Sequence, residues 1–387
     1  MAAKRCAELG LKVILIEKER IPRPKPCGGG VSLKALKLIE ADIPEAIVEH
    51  YIRGFRLFSP NFEYIEWYSS DYVGISTRRD KFDAFLTKLA VEKGCELIDN
   101  SKVVDVIVKK DKVVCKLSDD RLIEGILIIG ADGVNSIVAK KTGIRTRWNA
   151  SELGLCLETT YYIDKKTLEK IVNPEIFELY FINIPLGYGW VFPKKSSLSL
   201  GIGGALTHVR NPKNILMNFC LKISKLKKIN LKISQYHAHL IPAGGFPRRY
   251  VSDRVILAGD AAGFVDPLTG EGIYYAMKSG LIAAETCVNA IENNETSKTF
   301  LEYHYSKICE KTFGKDLKIA LDLTYKIHNH LNFFFKVLKA SESNSNLSWA
   351  SLAKGDINYR QLRKKLIIKS PVFLLSFLIK FIKQKLK

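Results

Sequence analysis

Arg254-Val-Ile-Leu-Ala-Gly-Asp-Ala-Ala-Gly263 runs without a break into Phe264-Val-Asp-Pro-Leu-Thr-Gly-Glu-Gly-Ile-Tyr274. The apolar run before Gly259 reads as a buried strand, because it is short, aliphatic and closed by a glycine. Gly259 and Asp260 then turn the chain, and the small residues that follow let backbone approach a ligand closely. Gly270 and Gly272 open a long helical segment, whose N-terminal amides suit an anionic or electron-rich group. Strand, glycine turn and helix mouth in this order are the parts of an α/β nucleotide-binding unit.

Two other stretches repeat that order. Leu127-Ile-Ile-Gly-Ala-Asp-Gly-Val-Asn-Ser136 places an apolar strand before a Gly-Ala-Asp-Gly turn and a following helix. At the start, Ala2 to Leu9 reads as a helix, Gly10 as its stop, and Lys12-Val-Ile-Leu-Ile-Glu17 as a buried strand ending in an acid. In a dinucleotide-binding βαβ unit these are the helix and second strand, with Glu17 placed for a ribose hydroxyl. The first strand and the G-x-G-x-x-G turn do not precede that helix, so the expected fold is an N-terminally truncated Rossmann-like domain. Between these stretches the pattern changes to short alternating strands, at Tyr51 to Tyr68 and from Thr159 to Leu240. They predict an inserted, mostly antiparallel β domain. Past Ser297 the pattern is helical, and a Ser/Asn-rich break from Ser341 to Ser348 precedes a basic tail. The expected division is residues 1–50, 80–150 and 246–297 for the nucleotide domain, 51–79 and 151–245 for the β domain, and 298–387 for a helical region.

Composition narrows the function. Of 387 residues, 47% are apolar and 26% charged, which excludes both a disordered chain and a multi-span membrane protein. The excess of 60 Lys and Arg over 40 Asp and Glu, a net charge of +20, implies an anionic partner: nucleic acid, a membrane surface, or a phosphorylated substrate or cofactor. The basic residues are dispersed and accompany no recognition motif, which disfavours nucleic acid. Eight cysteines form no C-x-x-C pair and no cluster with histidine, so no metal is expected; most read as core thiols, and the histidines as surface or satisfied core residues. The longest apolar stretch, Pro371 to Ile382, contains Lys380 and is too short to span a bilayer. From Arg360 to Lys387 nine basic residues and no acid surround the block Val372 to Ile379. That tail reads either as a helix lying in an anionic membrane interface or as a terminal helix packed on the body of the protein.

Glu17, the Gly-Ala-Asp-Gly turn at 130–133, and Gly259-Asp260 followed by Gly-Glu-Gly-Ile at 270–273 resemble the flavoprotein hydroxylase superfamily. Lys25-Pro-Cys-Gly-Gly-Gly30 and Tyr188-Gly-Trp-Val-Phe-Pro-Lys194 resemble the signature pair of the geranylgeranyl reductase family. The match runs to about residue 300. It implies FAD as cofactor and, as activity, the saturation of isoprenoid C=C bonds, most closely those of archaeal ether phospholipids. Carried onto this chain, it places Glu17 at the adenosine ribose and Cys27, Gly28 and Gly30 beside the cofactor. Arg79 matches an FAD-contacting arginine and Val103 a strand residue that meets the adenine. Asp260 would take the ribityl chain or pyrophosphate, and Gly272 and Ile273 would present amides to the flavin ring. Asp132 matches a fingerprint that is mostly structural.

Saturating an unactivated alkene needs a hydride, a proton and a dry, apolar site. Tyr188, Trp190 and Phe192 fall at i, i+2 and i+4 on a strand and so share one face, a wall for an isoprenoid tunnel or an aromatic core. Cys27, between Pro26 and three glycines, lies on a loop outside any apolar periodic segment, which points to a place near the flavin. Cys27, Tyr188 and Trp190 are therefore the candidate catalytic or pocket-lining residues. The expected partners are an isoprenoid lipid, an anionic membrane surface and an electron donor such as a small ferredoxin, at the cytoplasmic face of the membrane. Reduction of another polyprenyl group, a flavin monooxygenase reaction, and a flavin-free lipid-binding remnant are the alternatives.

Overall fold

In the computed structural model, which describes residues 1–182, 184–231, 233, 235–340 and 349–364, the chain opens with α1 (Ala2–Glu8) and β1 (Ile14–Ile16). Then come β2 (Gly30–Ser32), α2 (Leu33–Leu36), β3 (Val48–Ile52), β4 (Gly54–Phe58), β5 (Tyr64–Tyr68), β6 (Gly74–Thr77) and α3 (Arg79–Glu92). Next are β7 (Glu96–Ile98), β8 (Val103–Val108), β9 (Val113–Leu117), β10 (Leu122–Gly125), β11 (Ile128–Gly130) and α4 (Ile137–Lys141). The middle of the chain holds β12 (Leu153–Tyr162), α5 (Lys165–Ile171), β13 (Ile176–Tyr180), β14 (Tyr188–Lys194), β15 (Ser197–Ala205), α6 (Pro212–Lys227) and β16 (His237–Pro242). After β17 (Val251–Ser252) and β18 (Val255–Leu257) comes α7 (Ile273–Glu292), the longest helix described. The last elements are α8 (Lys298–Leu301), α9 (Lys307–Cys309), α10 (Lys315–Asn329), α11 (Leu331–Ala340) and α12 (Trp349–Lys354), with π turns at Glu302–Ser306 and Glu310–Gly314.

The nucleotide-type strands form two separate pieces. β1 pairs in parallel with β7, while β11 pairs in parallel with β18, which continues antiparallel to β17. No strand among the described residues joins them. α1 packs on α7 so closely that a side chain on Gly280 would meet Ala2. The second body is a seven-stranded sheet of order β16-β12-β15-β14-β13-β4-β5, antiparallel except where β13 runs parallel to β4. The segment 51–79 divides between sheets: β4 and β5 join the large sheet, whereas β6 pairs with β2 and β3. Strand alternation gives the large sheet two buried faces. Val191, Leu198, Leu200 and Ile202 meet Leu216, Phe219 and Ile223 of α6 on one side. Tyr188, Trp190 and Phe192 point to the other.

Beneath that sheet lies a buried ion cluster. The Glu178 carboxylate, 1% exposed, accepts from Lys227 at 3.0 Å, from Arg56 at 3.3 Å and from the Tyr180 hydroxyl at 2.7 Å. The sequence stretch from Arg360 onward that reads as a basic tail lies, beyond residue 364, outside the described residues.

Candidate active site

The face opposite α6 is built by register. Tyr188, Trp190 and Phe192 of β14 lie opposite Gly203, Gly201 and Ser199 of β15. On the other flank Trp190 faces Leu179, and Leu179 faces Leu57. The Phe177 and Phe192 rings stack at 3.9 Å. The two glycines of β15 leave the indole room to lie flat, since a Cβ on Gly201 would stand 2.0 Å from the ring. The result is an apolar wall running from β14 to β4. Toward β12 and β16 the same face turns polar, with Cys156 opposite His239 and Glu158 opposite His237.

The loop Pro26–Gly30 lies on this wall. A Cβ on Gly28 would meet Phe192 at 2.9 Å and the Trp190 nitrogen at 3.2 Å, and one on Gly30 would meet Phe177 at 2.8 Å. Gly29 takes φ +71°, a conformation that glycine enters without steric cost, and its N–H donates to Cys27 Sγ at 3.3 Å. Three glycines in a row thus fit a backbone pressed against aromatic rings. Cys27 is half-buried.

Loop, wall and α7 enclose a cavity of about 350 Å³. Cys27, Gly28, Gly30, Tyr188, Trp190, Gly272 and Ile273, all expected at the site, line it together. Val265, Leu268 and the Asp266 carboxyl close its floor. The far wall comes from Leu321, Thr324, Tyr325 and His328 of α10, Leu352 of α12, and Tyr359. His239 and His328, read from sequence as surface or core residues, line the cavity, as does Cys156, while His237 borders it from the exposed surface. Burial holds the His328 imidazole down to about 4 and pushes the Cys156 thiol up to about 12, so both are neutral near pH 7. The helical spacing of Leu321, Thr324 and His328 was a signal for this wall; nothing in the sequence tied it to Trp190.

Tyr359 is anchored at depth. Its hydroxyl donates at 2.8 Å to Asp266 Oδ2, while Oδ1 accepts the amides of Leu268 at 2.9 Å and Thr269 at 3.1 Å. Burial raises the pKa of this carboxyl, and each donor offsets part of that penalty. Tyr359→Phe is expected to lower the unfolding free energy by about 1–3 kcal/mol and to speed tryptic cleavage at Lys354 and Arg360. Cleavage at the wild-type rate would show that other contacts hold this segment.

The remaining expected residues surround the ends of β1 and α7. Glu17 follows β1, where its carbonyl accepts from Ser101, two residues before Val103. Its carboxylate accepts from Arg23 at 2.9 Å; Arg23 also reaches Asp83 at 3.0 Å, and Asp83 takes Arg79 through two bonds of 2.8 and 2.9 Å. Asp132 caps α4 by accepting from Val138 at 3.1 Å, a structural role. A flavin nucleotide suits these groups. The first amides of α7 have no side-chain cap and open on the cavity at Gly272. A Cβ on Gly272 would stand 3.5 Å from Asp260 Oδ1 and 3.4 Å from Val265, ordinary contact distances that bring Asp260 up to the amino end of α7. Glu17, oriented by Arg23, retains lone pairs for ribose hydroxyls.

These features define a flavoprotein, and residues 1–306 match the model of the FAD binding domain family. A digeranylgeranylglycerophospholipid reductase of Methanosarcina acetivorans is 33% identical over 336 residues, which cover 83% of this chain and 80% of that one. Its namesake from Methanothrix thermoacetophila is 30% identical over 376 residues, 94% of this chain and 90% of the relative. A solved structure of a geranylgeranyl bacteriochlorophyll reductase-like protein from Thermoplasma acidophilum aligns with a TM-score of 0.80 at 26% identity, covering 94% of each chain. The chain belongs to the digeranylgeranylglycerophospholipid reductase family of FAD-binding proteins.

Proposed function

We propose that this protein is an FAD-dependent reductase that saturates the isoprenoid C=C bonds of digeranylgeranylglycerophospholipids. The observation that carries the reading is one cavity in which the Cys27 loop, the α7 amino end and the Tyr188–Trp190–Phe192 wall meet. Glu17, Arg79, Val103 and Asp260 would hold the nucleotide and ribityl portions, and Gly272 and Ile273 the flavin ring. FAD, when bound and reduced, supplies the hydride. The chain's own residues do the rest. Trp190, Phe192, Phe177 and Leu179 give an isoprenoid the apolar surface that alone can recognise it, at about 25 cal/mol per Å² removed from water. Tyr188 is spent on the Thr269 carbonyl, to which its hydroxyl donates, so it braces the loop before α7. Cys27 Sγ is the protic group that the glycine loop presents beside the aromatic wall. The neutral His328 and the aliphatic residues of α10 and α12 keep water out.

A lipid substrate suits a peripheral position on the membrane. Among the described residues no helix is long and apolar enough to cross a bilayer. Between Leu179 and Ser252 the sequence holds eleven Lys and Arg and no acid. Within that stretch α6 exposes Met217, Leu221 and Leu226 among its lysines. This composition favours an anionic lipid surface, and it also suits a small acidic electron carrier such as a ferredoxin.

The test is spectroscopic. The chain reconstituted with FAD is expected to be yellow, to bleach with dithionite under anaerobic conditions, and to regain its colour on addition of a digeranylgeranyl phospholipid, with saturated product found by mass spectrometry. Recovery of colour with an aromatic substrate and oxygen, but not with lipid, would point to a monooxygenase. Failure to bind FAD would leave only lipid binding.

A further inference from the structure

The Cys27 loop stands between two cavities. On one side is the large apolar space; on the other a polar cavity of about 160 Å³ lined by Cys27, Thr77, Arg78, Glu158, Thr160, Lys194 and Ser199 among others. Its glycines pack on the aromatic rings of one wall, and on the side of the polar cavity directed bonds complete its placement.

Those bonds converge from two side chains. Glu158 of β12 accepts the Cys27 N–H at 2.7 Å on Oε2 and the Ser199 hydroxyl at 2.9 Å on Oε1. Ser199 in turn accepts from the Trp190 indole N–H at 3.2 Å. One carboxylate therefore ties the backbone of Cys27 to the ring of Trp190. Lys194, at the end of the same strand as Trp190 and 6% exposed, donates to the Gly28 carbonyl at 2.8 Å and the Gly29 carbonyl at 3.4 Å. It also donates to Ser76 Oγ and the Thr77 carbonyl, both at 2.8 Å, which pins the loop to the end of β6. Placing an ammonium in the interior costs several kcal/mol by desolvation alone, and here that ion serves main-chain oxygens of the loop. Burial lowers Lys194 to about 8 and raises Glu158, the cost expected of charges kept inside for their geometry.

We infer that Glu158, Ser199 and Lys194 form a clamp that locks the Cys27–Gly29 loop to the Trp190 wall, and that Glu158 and Lys194 are positioning residues for the reductase reaction. The inference rests on the function proposed above only for the word reductase; the clamp itself is a property of the free chain. It acts through Cys27 and Trp190, so its loss changes the placement of those groups and leaves the apolar cavity standing.

The test follows Cys27 in the chain without FAD. Alkylation by iodoacetamide at pH 7, resolved by peptide mass spectrometry, is expected to run at least about tenfold faster at Cys27 in E158A and in K194M than in the wild type, with the buried Cys220 and Cys287 unchanged. E158Q is the rescue: its amide oxygen accepts the Cys27 N–H and its amide nitrogen donates to Ser199, so labelling within about threefold of wild type is expected. Tryptophan emission that shifts in E158A and S199A, but not when W190F is the background, reports the indole end. In the loaded enzyme E158A is expected to lower kcat by about 10²-fold, the scale of a 1 Å misplacement, with KM within about threefold. Wild-type labelling rates in both E158A and K194M, with circular dichroism showing folded protein, overturn the clamp. Faster labelling in a chain that reduces no lipid leaves the clamp standing and removes the function. E158Q labelling as fast as E158A would also overturn it, because the bonds named would then not be what holds the loop.

Discussion

Gly201→Ala is expected to lower lipid reduction by about 10²-fold and the unfolding free energy by about 2–3 kcal/mol. A methyl at this position would stand 2.0 Å from the Trp190 ring, a distance no pair of carbons tolerates. The indole has nowhere to retreat: Gly28 packs against its nitrogen and against Phe192, and Ser199 holds that nitrogen by a hydrogen bond. Either the ring tips into the cavity, where it takes the space of the isoprenoid, or β15 moves off β14. The first outcome shows as lost turnover with FAD retained; the second as a lower urea midpoint. Full activity together with an unchanged midpoint would mean that the indole does not lie where the register places it. Gly203→Ala makes the milder comparison, because a Cβ there stands 3.0 Å from Cys156 Sγ and 3.8 Å from the indole.

Glu178→Ala is the substitution expected to cost most stability, about 3–5 kcal/mol. It removes the carboxylate that two cations share and strands the Lys227 ammonium, 6% exposed, with only the Ile171 carbonyl at 3.1 Å as partner. Arg56 keeps Glu66 at 2.5 Å and suffers less. The check is a double substitution. E178L/K227M replaces both buried charges with apolar groups of similar size and should recover much of the loss, because the penalty comes from an unpaired charge and not from a missing attraction. Equal destabilisation in the single and double variants would assign the effect to packing against Tyr180 instead. Neither residue lines the cavity, so flavin colour and turnover at low temperature should persist in both.

The α/β unit was legible because each of its parts is local. Glycine turns at 130–133 and 259–260 declare themselves within ten residues, and the alternation of Tyr188, Trp190 and Phe192 fixes a face without knowledge of any partner. What faces that wall was not legible. Leu321, His328 and Tyr359 meet it only through the tertiary fold, and a histidine on an apolar helix face carries no mark of the cavity it borders. Glu158 is a similar case. It bonds a residue 131 positions away, and its own stretch reads as an ordinary alternating strand. The sequence motif at 188–194 contained Lys194, but only the three-dimensional position of its Nζ, among carbonyls of the glycine loop, shows why a lysine ends it. β6 was read with the large sheet and pairs with β2 instead, since short strands of similar composition do not name their neighbours.

The match to the FAD binding domain ends at residue 306, while the far wall of the cavity is made by residues 321, 324, 325, 328, 352 and 359. The cavity is therefore lined from both lengths of the chain, the Cys27 loop and the Trp190 wall from inside the match and the opposite wall from beyond it. On the function proposed above, a point change on α10 or α12 would reshape the space left for an isoprenoid tail without touching Glu17, Arg79, Val103 or Asp260. The C-terminal helices are then the place to engineer tail preference while the cofactor side of the cavity is left as it stands.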